Sequence, residues 1–167
     1  TYSLNFLLKG LLRPGDRVLT SQVEHNAVMR PLRQLERQGV AVDFLPCDNE
    51  GALQLEEAER LIVPGVRAVV LAHASNVAGT IQPLEPVGRL CRERGALLLV
   101  DAAQTLGAVS VDMEKMGIDA LAFPGHKGLL GPQGIGGLVV REALAGQLEP
   151  LVSGGTGSAS DSLDMPA

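Results

Sequence analysis

The strongest constraint on the fold is a set of short strands with no polar face. RAVVLAHA (67–74), ALLLVDAAQ (96–104) and DALAFPG (119–125) are near-continuous aliphatic runs that turn polar only at their ends. A strand buried on both faces needs a covering layer on each side. The intervening segments supply those layers. HNAVMRPLRQLERQG, LQLEEAERLI and LEPVGRLCRERG carry apolar residues at helical spacing, and two of them run into a glycine that can end a helix. SLNFLLKGLL reads as an opening helix stopped by RPGD, RVLTS as a short buried strand, and VAVDFLP as an alternating one. A short helix is expected at MEKMG, a last strand at GIGGLVVR and a short helix at EALAGQL. Alternation of this kind predicts an α/β fold in three layers, a mostly parallel sheet covered by helices. GIGGLVVR is free to run antiparallel, since only a loop separates it from DALAF.

The 167 residues suffice for one domain with a sizeable core. With 46% hydrophobic and 20% charged residues the chain has the balance of a globular protein. A net charge of −5 with no Lys/Arg run argues against a nucleic-acid partner. No apolar run reaches the roughly 18 residues of a membrane span. Two cysteines, Cys47 and Cys91, are too few for a disulfide framework, which points to a reducing, cytoplasmic setting. The sequence opens at Thr1 within an amphipathic pattern and closes on SGGTGSASDSLDMPA, and is on these grounds expected to be part of a longer protein.

Ligands of open α/β sheets bind beyond the carboxyl ends of the strands. Polar residues cluster there: Glu24-His25-Asn26 after the first strand, Ser75-Asn76 after the third, Asp101 and Gln104 after the fourth, His126-Lys127 after the fifth. A lone loop lysine is ordinarily a surface residue. Here Gly125, Gly128 and Gly131 surround Lys127, which suggests tight turns or a close neighbour. A lysine in a partly desolvated pocket becomes an amine nucleophile for Schiff-base chemistry. Asp101 reads either as a helix cap or as the acid partner of a cationic ring nitrogen, which pyridoxal phosphate requires together with a lysine for its aldehyde. His25 reads as a cap, or as an imidazole stacked on a flat cofactor and able to move protons. P-loop, G-x-G-x-x-G, H-E-x-x-H and G-x-S-x-G motifs are missing, and no metal ligands are expected. SGGTGS could form a phosphate-binding nest.

EHNA, SNVAGT, VDAAQ, GHK and GGTGS, in this order and spacing, resemble the class V aminotransferase family of pyridoxal-phosphate enzymes, and most of all its cysteine desulfurase and selenocysteine lyase branch. The resemblance runs through nearly the whole chain. It implies a partial large domain over 1–167, with the N-terminal segment and the small C-terminal domain outside it. It implies that Lys127 bonds the cofactor aldehyde and that Asp101 pairs with the ring nitrogen. Gln104 would then donate to the phenolic oxygen, His25 stack on the ring, and Asn76 stand near the phenolic oxygen and the substrate carboxylate. His126 and Thr1 would contact the phosphate. Gly155 and Thr156 would reach the phosphate of a neighbouring subunit, so a homodimer with shared sites is implied.

The implied reaction removes sulfur from L-cysteine, leaving L-alanine and an enzyme persulfide, with a sulfur-acceptor protein as a further partner. An aminotransferase, epimerase or selenocysteine lyase activity, or an inactive fragment, are the alternatives. Two features depart from the family. Pro124 stands where many relatives have a serine that contacts the phosphate. The family's catalytic cysteine and its substrate-carboxylate arginine fall after the last residue here, so Cys47 and Cys91 are read as structural.

Overall fold

A computed structural model describes residues 1–154. Six strands form one sheet: β1 (Arg17–Ser21), β2 (Ala41–Leu45), β3 (Val66–Ala72), β4 (Leu97–Asp101), β5 (Ala120–Pro124) and β6 (Gly136–Val140). The helices are α1 (Tyr2–Leu11), α2 (Asn26–Glu36), α3 (Leu55–Leu61), α4 (Leu84–Arg94) and α5 (Glu142–Ala145). The sheet order is β2-β1-β3-β4-β5-β6. The first five strands are parallel, and β6 pairs antiparallel with β5.

The period of two along each central strand splits the core. Val18, Ala68, Val70, Leu99, Ala120 and Ala122 point to one face, where Leu4, Leu7, Leu8 and Leu11 of α1 and Val28, Leu32 and Leu35 of α2 cover them. Leu19, Val69, Leu71, Leu98, Val100 and Leu121 point to the other, against Ala58 of α3 and Leu84, Val87 and Cys91 of α4. β2, at the sheet edge, alternates exposed with half-buried residues, which is why its sequence alone shows a polar face.

β1 hands the chain to α2 on the first face, and β3 hands it to α4 on the second. Two neighbouring parallel strands whose continuations leave on opposite faces part at their carboxyl ends and open a crevice. That crevice lies between β1 and β3.

One expected element is not a helix. Residues 113–117 form a turn. The Asp112 carboxylate accepts the N–H groups of Glu114 and Lys115, both at 3.0 Å, and Gly117 then takes a φ of 67°. A side chain that captures local N–H groups and a left-handed glycine together close one turn and stop it.

Candidate active site

Thr1, His25, Asn76, Asp101, Gln104, His126 and Lys127 all line one cleft of about 280 Å³ at the carboxyl ends of β3, β4 and β5. Residues spread from the first to position 127 of the chain meet because each follows its own strand or opens a helix beside the crevice. Ala72, Ala74, Ala103 and Ala122 also line the cleft, and their small side chains leave room for a flat group. Gly155 and Thr156 lie outside the described residues.

Asp101 ends β4 with only 5% of its surface exposed. Its Oδ1 accepts the N–H of Ala103 at 2.9 Å, but no helix follows β4: the bond closes the turn at 103–105, so Asp101 is not a helix cap. Burial raises its pKa, while the Ala103 hydrogen bond and the charges of His25 and Lys127 pull it down. A buried carboxylate in that state is stabilised by a cation placed against it.

His25 also does two things. It is the N-cap of α2, and its Nδ1 accepts the N–H of Ala27 at 3.0 Å. Nδ1 is thereby the unprotonated nitrogen of the neutral ring, and the proton sits on Nε2.

Thr1, Ser3 and Leu4, around the first turn of the ten-residue α1, line the same cleft. The N–H groups of a helix's first turn lack intrahelical acceptors and carry the positive end of the macrodipole, so they suit an anion. His126 lines the cleft as well. Pro124, the last residue of β5, lies on the wall without an N–H or hydroxyl to offer.

Lys127 is exposed at this cleft. The described residues therefore do not supply the desolvation expected around its amine. Its placement is nonetheless fixed. Gly125 donates its N–H to Ile135 at 2.7 Å and accepts that of Gly131 at 2.8 Å, and Leu130 donates to the Lys127 carbonyl at 2.9 Å. Gly128 lies so near the 101–109 turn that a Cβ there would stand 2.4 Å from the Leu106 carbonyl oxygen. A Cβ on Gly107 would stand 2.5 Å from the Gly128 carbonyl. The two glycines let the Lys127 loop and the Gln104 turn touch backbone to backbone.

Glu24 was legible only as one of a polar triplet. In the structure its Oε1 accepts the Ser21 hydroxyl at 2.6 Å and its Oε2 accepts the Ala72 N–H at 2.8 Å. Burial pushes its pKa up to about 7, against the Ser21 and Ala72 hydrogen bonds and with help from the charge of Asp101. The signal available in the sequence was a carboxylate directly after a strand at the switch point.

The thiols are poor nucleophiles. Cys91 is buried in α4, and burial, with Asp119 nearby, pushes its pKa up to about 12. Cys47 is half-buried and its pKa is likewise raised, chiefly by burial. Thiolate is the reactive form, and both sites disfavour it.

A mostly parallel sheet with a carboxylate, a lysine, an imidazole and a helix N-terminus gathered at its carboxyl ends defines an α/β enzyme domain. The family model described as Aminotransferase class-V matches residues 1–165, and the chain belongs to that family. It is 40% identical over 159 residues to a probable cysteine desulfurase of Pyrococcus abyssi, covering 92% of this chain and 39% of that protein. Among solved structures it is similar to the apo cysteine desulfurase of Thermococcus onnurineus NA1, with a TM-score of 0.87, 39% identity, and coverage of 92% and 39%. SspA in complex with cysteine gives a TM-score of 0.84 at 34% identity, covering 92% of this chain and 45% of that one. The chain thus spans about two-fifths of the length of the curated relatives it matches, 39% in the first of them.

Proposed function

We propose that this chain is the cofactor-holding part of a pyridoxal-phosphate-dependent cysteine desulfurase, which converts L-cysteine to L-alanine and passes the sulfur to a cysteine of the enzyme. The observation that carries this reading is the meeting of Asp101, Lys127, His25, Asn76 and Gln104 in one cleft that also takes in the start of α1. The donor set fits the cofactor: a buried carboxylate for a cationic ring nitrogen, a lysine for an aldehyde, two side-chain amides for an oxygen, and a helix N-terminus with His126 for a phosphate. The relatives named cysteine desulfurase support the choice of reaction.

Pyridoxal phosphate supplies, when bound, a ring that takes up the electron pair left at a substrate carbon. The remaining work falls to the chain's own residues. Asp101 would hold a proton at the ring nitrogen. Lys127 would hold the aldehyde through its amine, and that amine would move a proton at the substrate carbon. His25 stacks with its Nε2 proton available for transfer. Asn76 and Gln104 orient by donating from their amides. The thiol that takes the sulfur is neither Cys91 nor Cys47. The working form is a homodimer that hands sulfur to an acceptor protein in the cytoplasm. No described helix is long and apolar enough to cross a membrane.

The test uses the full-length protein. Loaded with pyridoxal phosphate it should show a visible absorbance band that Lys127→Ala abolishes, and it should form alanine from cysteine. A protein with no such band would sink the reading. A band without alanine formation would move it to another class V reaction, such as transamination or epimerisation.

A further inference from the structure

The crevice between β1 and β3 creates a hydrogen-bonding problem that Glu24 solves. β1 pairs with β3 as far as Thr20 opposite Val70, and β1 ends at Ser21. Along β3 the amides face alternate neighbours. His73 donates to the Asp101 carbonyl of β4 at 2.9 Å, so the Ala72 amide faces the β1 side, where the ladder has stopped. The Glu24 carboxylate takes that amide at 2.8 Å and is held in turn by the Ser21 hydroxyl at 2.6 Å. On its other side Ala72 is the register partner of Asp101. One small residue is therefore flanked by two carboxylates, one of which lines the cleft.

We propose that Glu24 is a positioning residue for Asp101: it ties the two strand ends of the switch point together and adds a second negative charge beside the Asp101 carboxylate, so that the pair holds a cationic ring nitrogen more firmly than Asp101 would alone. This rests on the reading that Asp101 meets such a nitrogen. The charge of Asp101 raises the proton affinity of Glu24, and a cation against Asp101 relieves it. Among the described residues, three groups face the pair. Cys47, beyond β2, stands near Glu24. His25 and Lys127 face Asp101.

Glu24→Gln separates charge from scaffolding. A glutamine oxygen can still accept the Ala72 N–H, and its amide can donate to the Ser21 hydroxyl, which accepts as readily as it donates. In the full-length protein loaded with pyridoxal phosphate, the pH midpoint of the visible band should fall by about half a unit to one unit in this variant. In the unloaded full-length protein, the carboxyl carbon of Glu24 followed by NMR should titrate about half a unit or more lower in Asp101→Asn than in the parent. An unchanged band midpoint with only a lower melting temperature would mean that Glu24 is scaffolding, and would overturn the proposal. So would a Glu24 titration indifferent to Asp101→Asn, which decides the matter if Glu24→Gln fails to fold. A parent protein that shows no band overturns the cofactor reading, and the carboxyl titration still decides the coupling.

Discussion

Glu24 is a carboxylate whose fold works against its charge, and this has a thermodynamic signature. Its pKa is raised from an ordinary 4.5 to about 7, with burial as the main cause. A raised carboxyl pKa means that the folded state binds the proton more tightly than the unfolded one. Stability from this group is therefore fully present below the unfolded value and is lost as pH rises toward 7. The loss approaches on the order of 3 kcal/mol above pH 7. Urea unfolding of the unloaded full-length protein, parent against Glu24→Gln, should show the parent's advantage shrinking by roughly 2–3 kcal/mol between pH 4.5 and 8. Parallel curves across that window would refute the shift. The thiols give a second check at this scale. Native protein treated with an alkylating reagent should leave Cys91 unmodified, its pKa being pushed up to about 12 inside α4, and modify Cys47 only slowly. Mass spectrometry reads both. The contrast between Asp101 and Glu24 also shows what a sequence exposes. Asp101 is visible because four aliphatic residues run straight into it. Glu24 is not, because its decisive partner, the Ala72 amide, lies 48 positions away and exists only once β1 and β3 pair.

At the scale of elements, glycines decide how closely the parts approach. Gly88 faces outward from α4 onto the 113–117 turn, and a Cβ there would stand 2.0 Å from the Met116 carbonyl oxygen. Backbone cannot yield as a side chain can, so Gly88→Ala should destabilise the protein by about 1–3 kcal/mol in chemical denaturation. Gly146→Ala is the matched control, because nothing lies within 4 Å of the added atom. Gly128 is more telling for function. Gly128→Ala would force the Lys127 loop off the 101–109 turn and separate Lys127 from Gln104. Equilibrium titration with pyridoxal phosphate should show affinity reduced about tenfold or more. Affinity at the parent's level would show that the contact between the loops is incidental. The sequence displayed these glycines but not their reason, since the 106–108 backbone that crowds Gly128 is some twenty residues away. Strands and long helices were readable because period and length dictate them. The turn at 113–117 was not, because its outcome hangs on one Asp112 side chain competing for N–H groups.

Across the whole molecule, the rim of the cleft is the unsolved surface. Val77 follows Asn76 and is 89% exposed; Leu130 follows the Lys127 turn and is 91% exposed; Tyr2 and Ile135 are also exposed. Large apolar side chains beside an open polar cleft leave two needs unmet: their own burial, and the exclusion of water from Lys127. The homodimer proposed above would meet both. Leu130 allows this to be tested without confusing surface with fold, because it has a φ of 56°, a conformation that a leucine adopts at a cost and an asparagine tolerates. In a symmetric dimer each copy contributes its own Leu130. Burying one leucine side chain is worth about 1.5–3 kcal/mol, so Leu130→Asn should weaken self-association by roughly a hundredfold or more. The same change relieves backbone strain and should leave the melting temperature of the dissociated monomer equal or higher. Sedimentation equilibrium and thermal unfolding at low protein concentration measure the two effects. Their opposite signs are what the interface predicts. A variant that loses monomer stability without dissociating would place Leu130 in the fold of its own chain, and the cover of the cleft would have to come from elsewhere.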